Sequence, residues 1–428
     1  MHYRGPDGQP CLHVVGRRVT PSFAAAYHGF EILSCHAIRV TRDADFGLPR
    51  RNEDLLATIE QGIREGRMGD AVRLQYDPSL PKEILAQLVE ELELGAEDLY
   101  PGTVFTAFTD LFQLYGAINL PRHKDRPHSA LPMTTFERAP DLWNAIRAGD
   151  VMVFHPYQTF DPVTRFVEEA AKDPKVLAIK MTLYRVSPAS PIAQALTRAA
   201  EAGKEVSVLV ELQARFDEEA NITWARALEK VGAHVVYGLV GYKTHCKVCL
   251  AVRQETDGIR RYCHLATGNY NARTAGIYSD IGLFTCRESF GQDLTELFNL
   301  LTGYTRPQKF NHLLLAPVGL REQMLSCIRR EAEHARAGRT SRIVAKVKGL
   351  IDPAIIQELD LTSEAGVQID LIVRGLCSLR PGLSGISERI RVISTVDRYL
   401  EHRAYFLLSE LRRARLPFGL GRFEAAKL

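Results

Sequence analysis

The sequence predicts an α/β protein: two tandem α/β halves preceded by a small α+β domain. Three observations carry that reading. Strand-like and helix-like segments alternate from Asp141 onward. An ordered set of short strings recurs about 150 residues apart. A chain of 428 residues is also too long for a single core, so two to four domains are expected.

The elements follow in order. His36 to Phe46 reads as a strand entering an acidic turn. Asn52 to Met68 places Leu55, Leu56, Ile59 and Ile63 at helical spacing, and Pro81 to Leu94 does the same with Ile84, Leu85, Leu88 and Val89 behind a proline at the helix start. Residues 1–120 therefore form the α+β domain, and the proline-broken stretch 121–135 is a linker. The first half, 136–305, has strands at Val151–Phe154, Val176–Leu183, Val206–Leu212, His234–Tyr237 and Lys247–Val252. Helices lie between them at Pro191–Gly203 and Asn221–Gly232, each closed by glycine. Phe290–Gly303 and Leu320–Arg336 are amphipathic helices leading into the second half, 306–428.

The repeat pairs Lys180 to Arg185 with Lys346 to Ile351, and Glu201 to Val210 with Glu364 to Val373. Arg215 follows the first of these strands and Arg374 the second. Lys243-Thr-His245-Cys-Lys247 then answers Tyr399-Leu-Glu-His402-Arg403. Two facing halves would bring both histidines to one cleft. The plainer alternative is two unrelated tandem domains, against which the shared order of three elements speaks.

Composition narrows the function classes. Apolar content of 46% and charged content of 25% are those of a globular protein. No apolar run approaches the ~18 residues a membrane span needs. Met1 to Pro10 lacks a signal-peptide pattern, so the expected compartment is the cytoplasm. The eight cysteines suggest thiols rather than a disulfide framework. From Tyr304 onward there are 21 Lys/Arg against 13 Asp/Glu, an excess that suits an anionic ligand or a merely basic surface.

His245-Cys246-Lys247 is the first candidate site. Neutral imidazole is a nucleophile, and a lysine on the same side of a strand would draw in a phosphoryl group. The bland alternative is a surface histidine beside a solvated lysine. Thr267-Gly268-Asn269-Tyr270-Asn271 follows a strand ending at Ala266 and could offer amides and side-chain donors, Asn269 and Asn271 among them, to phosphate. Cys246-x-x-Cys249 is a poor metal signal, because strand positions i and i+3 face opposite sides and no second pair completes a tetrahedral set.

The order HxK, strand, GxxN resembles the half-motif of the phospholipase D-like superfamily. Its phosphodiesterases carry an acidic residue seven positions after the histidine. Here that position is Val252, which argues against a phosphodiesterase. Longer strings are more specific. His155-Pro-Tyr-Gln-Thr-Phe-Asp-Pro162, Lys180 to Arg185, Val210 to Asn221, His264 to Asn271, Val373-Arg-Gly375 and Val396 to His402 closely resemble polyphosphate kinases of the histidine-phosphorylating type. The resemblance runs from about His36 to His402 and implies two phospholipase D-like catalytic halves behind part of the family's middle domain. It implies reversible transfer of the ATP terminal phosphate to polyphosphate, with ATP, ADP and polyphosphate as partners, no nucleic acid, and a homo-oligomer as one option.

Carried over residue by residue, His245 would be the phosphohistidine nucleophile and His402 a second catalytic histidine that assists transfer or binds nucleotide. Tyr278 and Arg374 would contact ATP, as would Lys247. Arg185 and Arg215 fall on the family's magnesium positions. A guanidinium has no lone pair for a metal, so both are read as holding phosphate oxygens with Mg²⁺ bridging through phosphate and water. The ordinary alternative for Arg215 is an ion pair within Asp217-Glu218-Glu219.

Departures from the family are also legible. The family's N-terminal base-binding domain has no counterpart here, and Ser22 to His28 departs from its pattern. Lys348 stands where asparagine is usual, and Arg403 follows His402 directly, which on a strand would turn it to the opposite side. After Phe406 the resemblance is expected to stop, leaving the second half short of its own strand, as a frameshifted or truncated reading frame would. A catalytically impaired fragment that only binds nucleotide or polyphosphate is therefore the second reading, and membrane association stays open.

Overall fold

The computed structural model describes residues 2–4, 10–12, 31–34, 36–43, 69–102, 111–126, 128–184, 190–211, 218–238, 244–303 and 310–408. The expected helix Asn52–Met68, the segment Ser22–His28 and the sequence after residue 408 lie outside them, as do Arg185 and Arg215. The chain divides into two units, Met1–Leu48 with Glu60–Asp125, and Pro49–Ile59 with Arg126–Leu428.

The first unit contains two small sheets. Strands β1 (His2–Arg4), β2 (Pro10–Leu12) and β3 (Glu31–Ser34) pair antiparallel in the order β2-β1-β3. Strands β4 (Ile38–Arg42), β5 (Ala71–Tyr76) and β6 (Leu99–Pro101) lie in the order β4-β5-β6. The helix Lys82–Glu91 seats Ile84 and Leu88 on Leu74 of the central strand, with Leu80 and Leu94 closing the core. Proline directly before this helix has no N–H to leave unpaired there.

The second unit carries the site. Its first sheet has seven strands: β7 (Val151–His155), β8 (Val176–Leu183), β9 (Glu205–Val210), β10 (His234–Tyr237), β11 (Lys247–Glu255), β12 (Gly258–Ala266) and β13 (Asp280–Thr285). They run β10-β9-β8-β11-β12-β13-β7. β8, β9 and β10 are parallel, and β11 opens an antiparallel run to the far edge. Side chains alternate between two cores. Val248 and Leu250 face the helix Glu288–Gly303, whereas Cys249 and Ala251 face Phe166 and Leu196 on the helices Asp161–Lys172 and Pro191–Glu201.

The second sheet comprises β14 (Arg342–Val347), β15 (Gln368–Val373), β16 (Ile390–Ile393) and β17 (Tyr405–Leu408), in the order β16-β15-β14-β17. The helices Leu320–Arg336 and Pro353–Glu364 pack on it through Ile328, Ile355 and Leu359. β14, β15 and β16 are parallel and β17 is antiparallel, which repeats β8, β9, β10 and β11 strand for strand. The internal repeat is therefore one of topology.

Two expectations are corrected. The second half does reach the strand that follows its histidine, because β17 pairs with β14 from Ile343 to Lys346. The expected alignment of Lys180 with Lys346 is displaced by two residues. Thr182 lies opposite Leu209 and its hydroxyl accepts from the Val248 amide, and Lys346 lies opposite Ile372 and Tyr405. Leu209 and Ile372 are equivalent in the repeated strings, and Val248 and Tyr405 each stand three residues beyond a candidate histidine. Lys346 thus occupies the place of Thr182.

Candidate active site

His245 lies just before β11 and is fixed through its neighbours. The Thr182 hydroxyl at the end of β8 donates to the Cys246 carbonyl (2.8 Å) and accepts from the Val248 amide (3.1 Å). The Tyr184 hydroxyl donates to the same carbonyl at 3.0 Å. On the other side the Thr244 amide donates to the buried Glu211 carboxylate at 2.9 Å. The backbone from 244 to 248 is pinned at both ends, and the half-buried His245 ring meets Tyr184 edge-on at 6.2 Å between centroids.

Lys247 departs from its expected posture. It is 1% exposed, with its ammonium 4.5 Å from the centre of the Tyr184 ring and donating to the backbone carbonyl of His245. Tyr184 therefore touches both His245 and Lys247, which do share a side. The cation, however, braces the chain from within instead of standing free in a cleft. Burial pushes the Cys246 thiol up to about 11 even with the Lys247 charge beside it, so it stays protonated at neutral pH.

The turn after β12 supports the second histidine. Asn271 caps the short helix Ala272–Ala275, its side-chain oxygen accepting from the amides of Arg273 (3.0 Å) and Thr274 (3.2 Å). Asn269 is half-buried in the same turn. The Thr267 hydroxyl donates to Asp280 at 2.9 Å and accepts from the Ile281 amide at 3.0 Å. Asp280, 3% exposed at the start of β13, lies 2.8 Å from Nδ1 of His402. A carboxylate only accepts, so Nδ1 carries the proton and Nε2 of a neutral ring keeps its lone pair. Asp280 was not singled out from the sequence. Its signal there is slight, an acid two residues beyond Tyr278 at the start of an apolar strand.

The segment bearing His402 is laid along the first half. The Ser279 amide donates to the Leu400 carbonyl (2.8 Å), the Leu400 amide to Ile277 (3.1 Å), and the Arg403 amide to Ser279 (2.8 Å). His402 thereby reaches Tyr278, 5.6 Å between ring centroids, and His245, 6.5 Å in an edge-to-face arrangement. Arg374 follows β15, its amide bonding to the Val347 carbonyl at 3.4 Å, and its charge acts on the nearby Lys346. Residues 401–404 are not strand, so the side-alternation expected for Arg403 does not apply. Its guanidinium lies 5.0 Å from the centre of the Phe154 ring and 3.5 Å from the Glu401 carboxylate.

Of the residues expected from sequence, His245, His402 and Tyr278 meet. Among the described residues no group of three or more His, Cys, Asp and Glu side chains could hold a metal ion.

Comparison with known proteins agrees with this architecture. Family models for the polyphosphate kinase middle domain, C-terminal domain 1 and C-terminal domain 2 match residues 19–114, 141–307 and 313–416. The last match runs past Phe406, where the resemblance was expected to stop. The chain is 47% identical to a polyphosphate kinase of Thermosynechococcus vestitus over 95% of its own length and 59% of the relative's. It is 49% identical to one from Synechocystis sp., over 91% and 56% of the two chains. The crystal structure of polyphosphate kinase from Porphyromonas gingivalis superposes with a TM-score of 0.73 at 33% identity, covering 90% of this chain and 56% of that one. The chain spans little more than half the length of these relatives. With its middle-domain match and two paired α/β halves, it belongs to the polyphosphate kinase family.

Proposed function

We propose that the chain transfers the terminal phosphate of ATP reversibly to inorganic polyphosphate through a phosphohistidine at His245. The observation that carries the proposal is the meeting of His245 and His402 at 6.5 Å, with the His402 ring oriented by Asp280. Two imidazoles at that separation can each reach an atom of one bound phosphoryl group. The His245 lone pair forms the N–P bond as the bond from phosphorus to the ADP oxygen breaks and that oxygen keeps the electron pair. His402 in its imidazolium form, its Nδ1–H held by Asp280, donates from Nε2 to the phosphate oxygens on which charge gathers. In the second step a terminal polyphosphate oxygen attacks phosphorus, and the N–P electrons return to His245.

On this reading Tyr278 and Arg374 contact the nucleotide, Arg185 and Arg215 hold phosphate oxygens, and Mg²⁺ arrives as the nucleotide's counter-ion. The domain division at 1–120, 121–135, 136–305 and 306–428 and a cytoplasmic setting belong to the same proposal. Among the described residues no helix is long and apolar enough to cross a membrane.

The test is incubation with γ-labelled ATP and Mg²⁺. An alkali-stable, acid-labile adduct is expected on the native chain and none on His245→Ala. Folded native protein that forms no such adduct refutes the proposal. It would leave the second reading, a chain that binds nucleotide or polyphosphate without turnover.

A further inference from the structure

The strand register of the two halves singles out one position. In the first half that position is Thr182, whose hydroxyl grips the backbone beside His245. In the second half it is Lys346, 3% exposed, whose ammonium grips the Glu401 carboxylate beside His402. The two strands hold their histidine segments from the same place with different chemistry. Glu401 does more than answer Lys346. The same carboxylate oxygen accepts from the Ser279 hydroxyl at 2.9 Å, and Ser279, fully buried, belongs to the first half. Arg403 stands 3.5 Å away.

We infer that Glu401, clamped between Lys346 of the second half and Ser279 of the first, is a positioning residue that sets His402 against Asp280 and His245. The inference rests on the reading of His245 and His402 as the reacting pair. The geometry makes the dependence direct. Three backbone hydrogen bonds tie Leu400 and Arg403 to residues 277–279, and the Glu401 side chain binds this strip to Lys346 of β14. Beyond Arg403 the chain rejoins β14 by backbone pairing from Tyr405 onward, so Glu401 extends that hold to the residue beside His402. Burial pushes the Glu401 carboxyl up, but the hydrogen bonds from Lys346 and Ser279 outweigh it and hold it below the usual carboxylate range, so the clamp is charged at neutral pH.

The experiment has two readouts on the full chain. The first is the imidazole Nδ1–H resonance of ¹⁵N-labelled His402, which reports the bond to Asp280 without any turnover. The second is the rate of acid-labile labelling of His245. Glu401→Gln is expected to broaden or abolish the resonance and to slow labelling about 10- to 100-fold, the scale of a 1 Å misplacement. Ser279→Ala leaves the buried ion pair in place, so it folds if Glu401→Gln does not, and should shift both readouts in the same direction by less. Glu401→Gln combined with His402→Ala should be no slower than His402→Ala alone, because a positioning residue has nothing left to position. Glu205→Gln, which breaks the exposed 3.0 Å pair with Lys180, is the control and should change neither readout. Folded Glu401→Gln and Ser279→Ala that keep the resonance and the native rate overturn the inference, as does a double variant whose losses multiply. If the native chain takes no label, the transfer reading falls and the resonance alone decides the positioning role.

Discussion

Gly268→Ala turns the packing of the site into a measurable loss. A Cβ at residue 268 would lie 2.4 Å from Oδ2 of Asp280, 2.6 Å from its Cγ and 2.9 Å from its Cβ. Ordinary contacts between such atoms begin near ~3.4 Å, so the overlap is about 1 Å. Asp280 is 3% exposed and its Cβ is within the clash, so the side chain cannot swing clear by rotation alone. A carboxylate displaced by about 1 Å stretches the 2.8 Å bond to His402 past hydrogen-bonding range. Overpacking of this kind costs ~1–3 kcal/mol of stability, and a 1 Å error in the second histidine costs roughly 100-fold in rate. Chemical denaturation reads the first quantity and rapid-quench labelling of His245 the second. Gly203→Ala is the contrast. Gly203 has a left-handed backbone at φ 78° and nothing within 4 Å of its Cβ position, so it should lose ~1–2 kcal/mol and no rate. Gly268→Ala that labels within threefold of native, with the His402 resonance intact, would refute the argument.

Two further outcomes concern stability. Burial, helped by the charge of His155, depresses His264 to about 3, so the native state refuses a proton that the unfolded chain takes below ~6.5. Native stability should therefore fall as pH drops from ~6.5 toward 3, and His264→Gln should remove about 1.4 kcal/mol of that slope per pH unit; urea melts at pH 7.0, 5.5 and 4.5 check it, and a pH-independent difference would count against it. Arg253 bonds Asp173 at 2.8 Å and Glu255 at 2.6 Å with all three side chains largely buried. Arg253→Met should cost ~3–5 kcal/mol by stranding two carboxylates. For both carboxyls burial raises the pKa, but hydrogen bonds, from the Lys175 amide and Arg253 to Asp173 and from Tyr262 and Arg253 to Glu255, outweigh it and hold them below their ordinary values. Their stabilisation is thus present above ~4.5 and lost as pH falls. The variant should show a flatter acid limb in the same melts, and an unchanged limb would contradict the assignment.

Much of the second unit was legible locally. Val176–Leu183, His234–Tyr237 and Leu320–Arg336 form with the bounds the periodicity predicts, because a two-residue or 3.6-residue period is written within one short window. The repeated strings also showed that three elements recur in the same chain order in the two halves. Register was harder. Lys180 and Lys346 look equivalent as letters, yet the pairing partners of β8 and β14 place Lys346 with Thr182. Register is fixed by neighbouring strands, which lie tens of residues away.

The site divides in the same manner. Sequence alone determined the element order, the two histidines, and the absence of an acid at Val252, since each is a residue identity within a short string. It could not determine that Lys247 would fold under the His245 backbone, that Asn271 would spend its side chain on a helix cap, or that Arg403 would precede its strand. Those outcomes depend on where β11 and β17 begin, which their pairing partners decide. The tertiary structure alone decided that Asp280 orients His402 and that Glu401 joins Lys346 to Ser279. Each of those side-chain contacts links residues 55 to 122 positions apart. No local period or motif spans such a distance, and only the meeting of the two halves creates it.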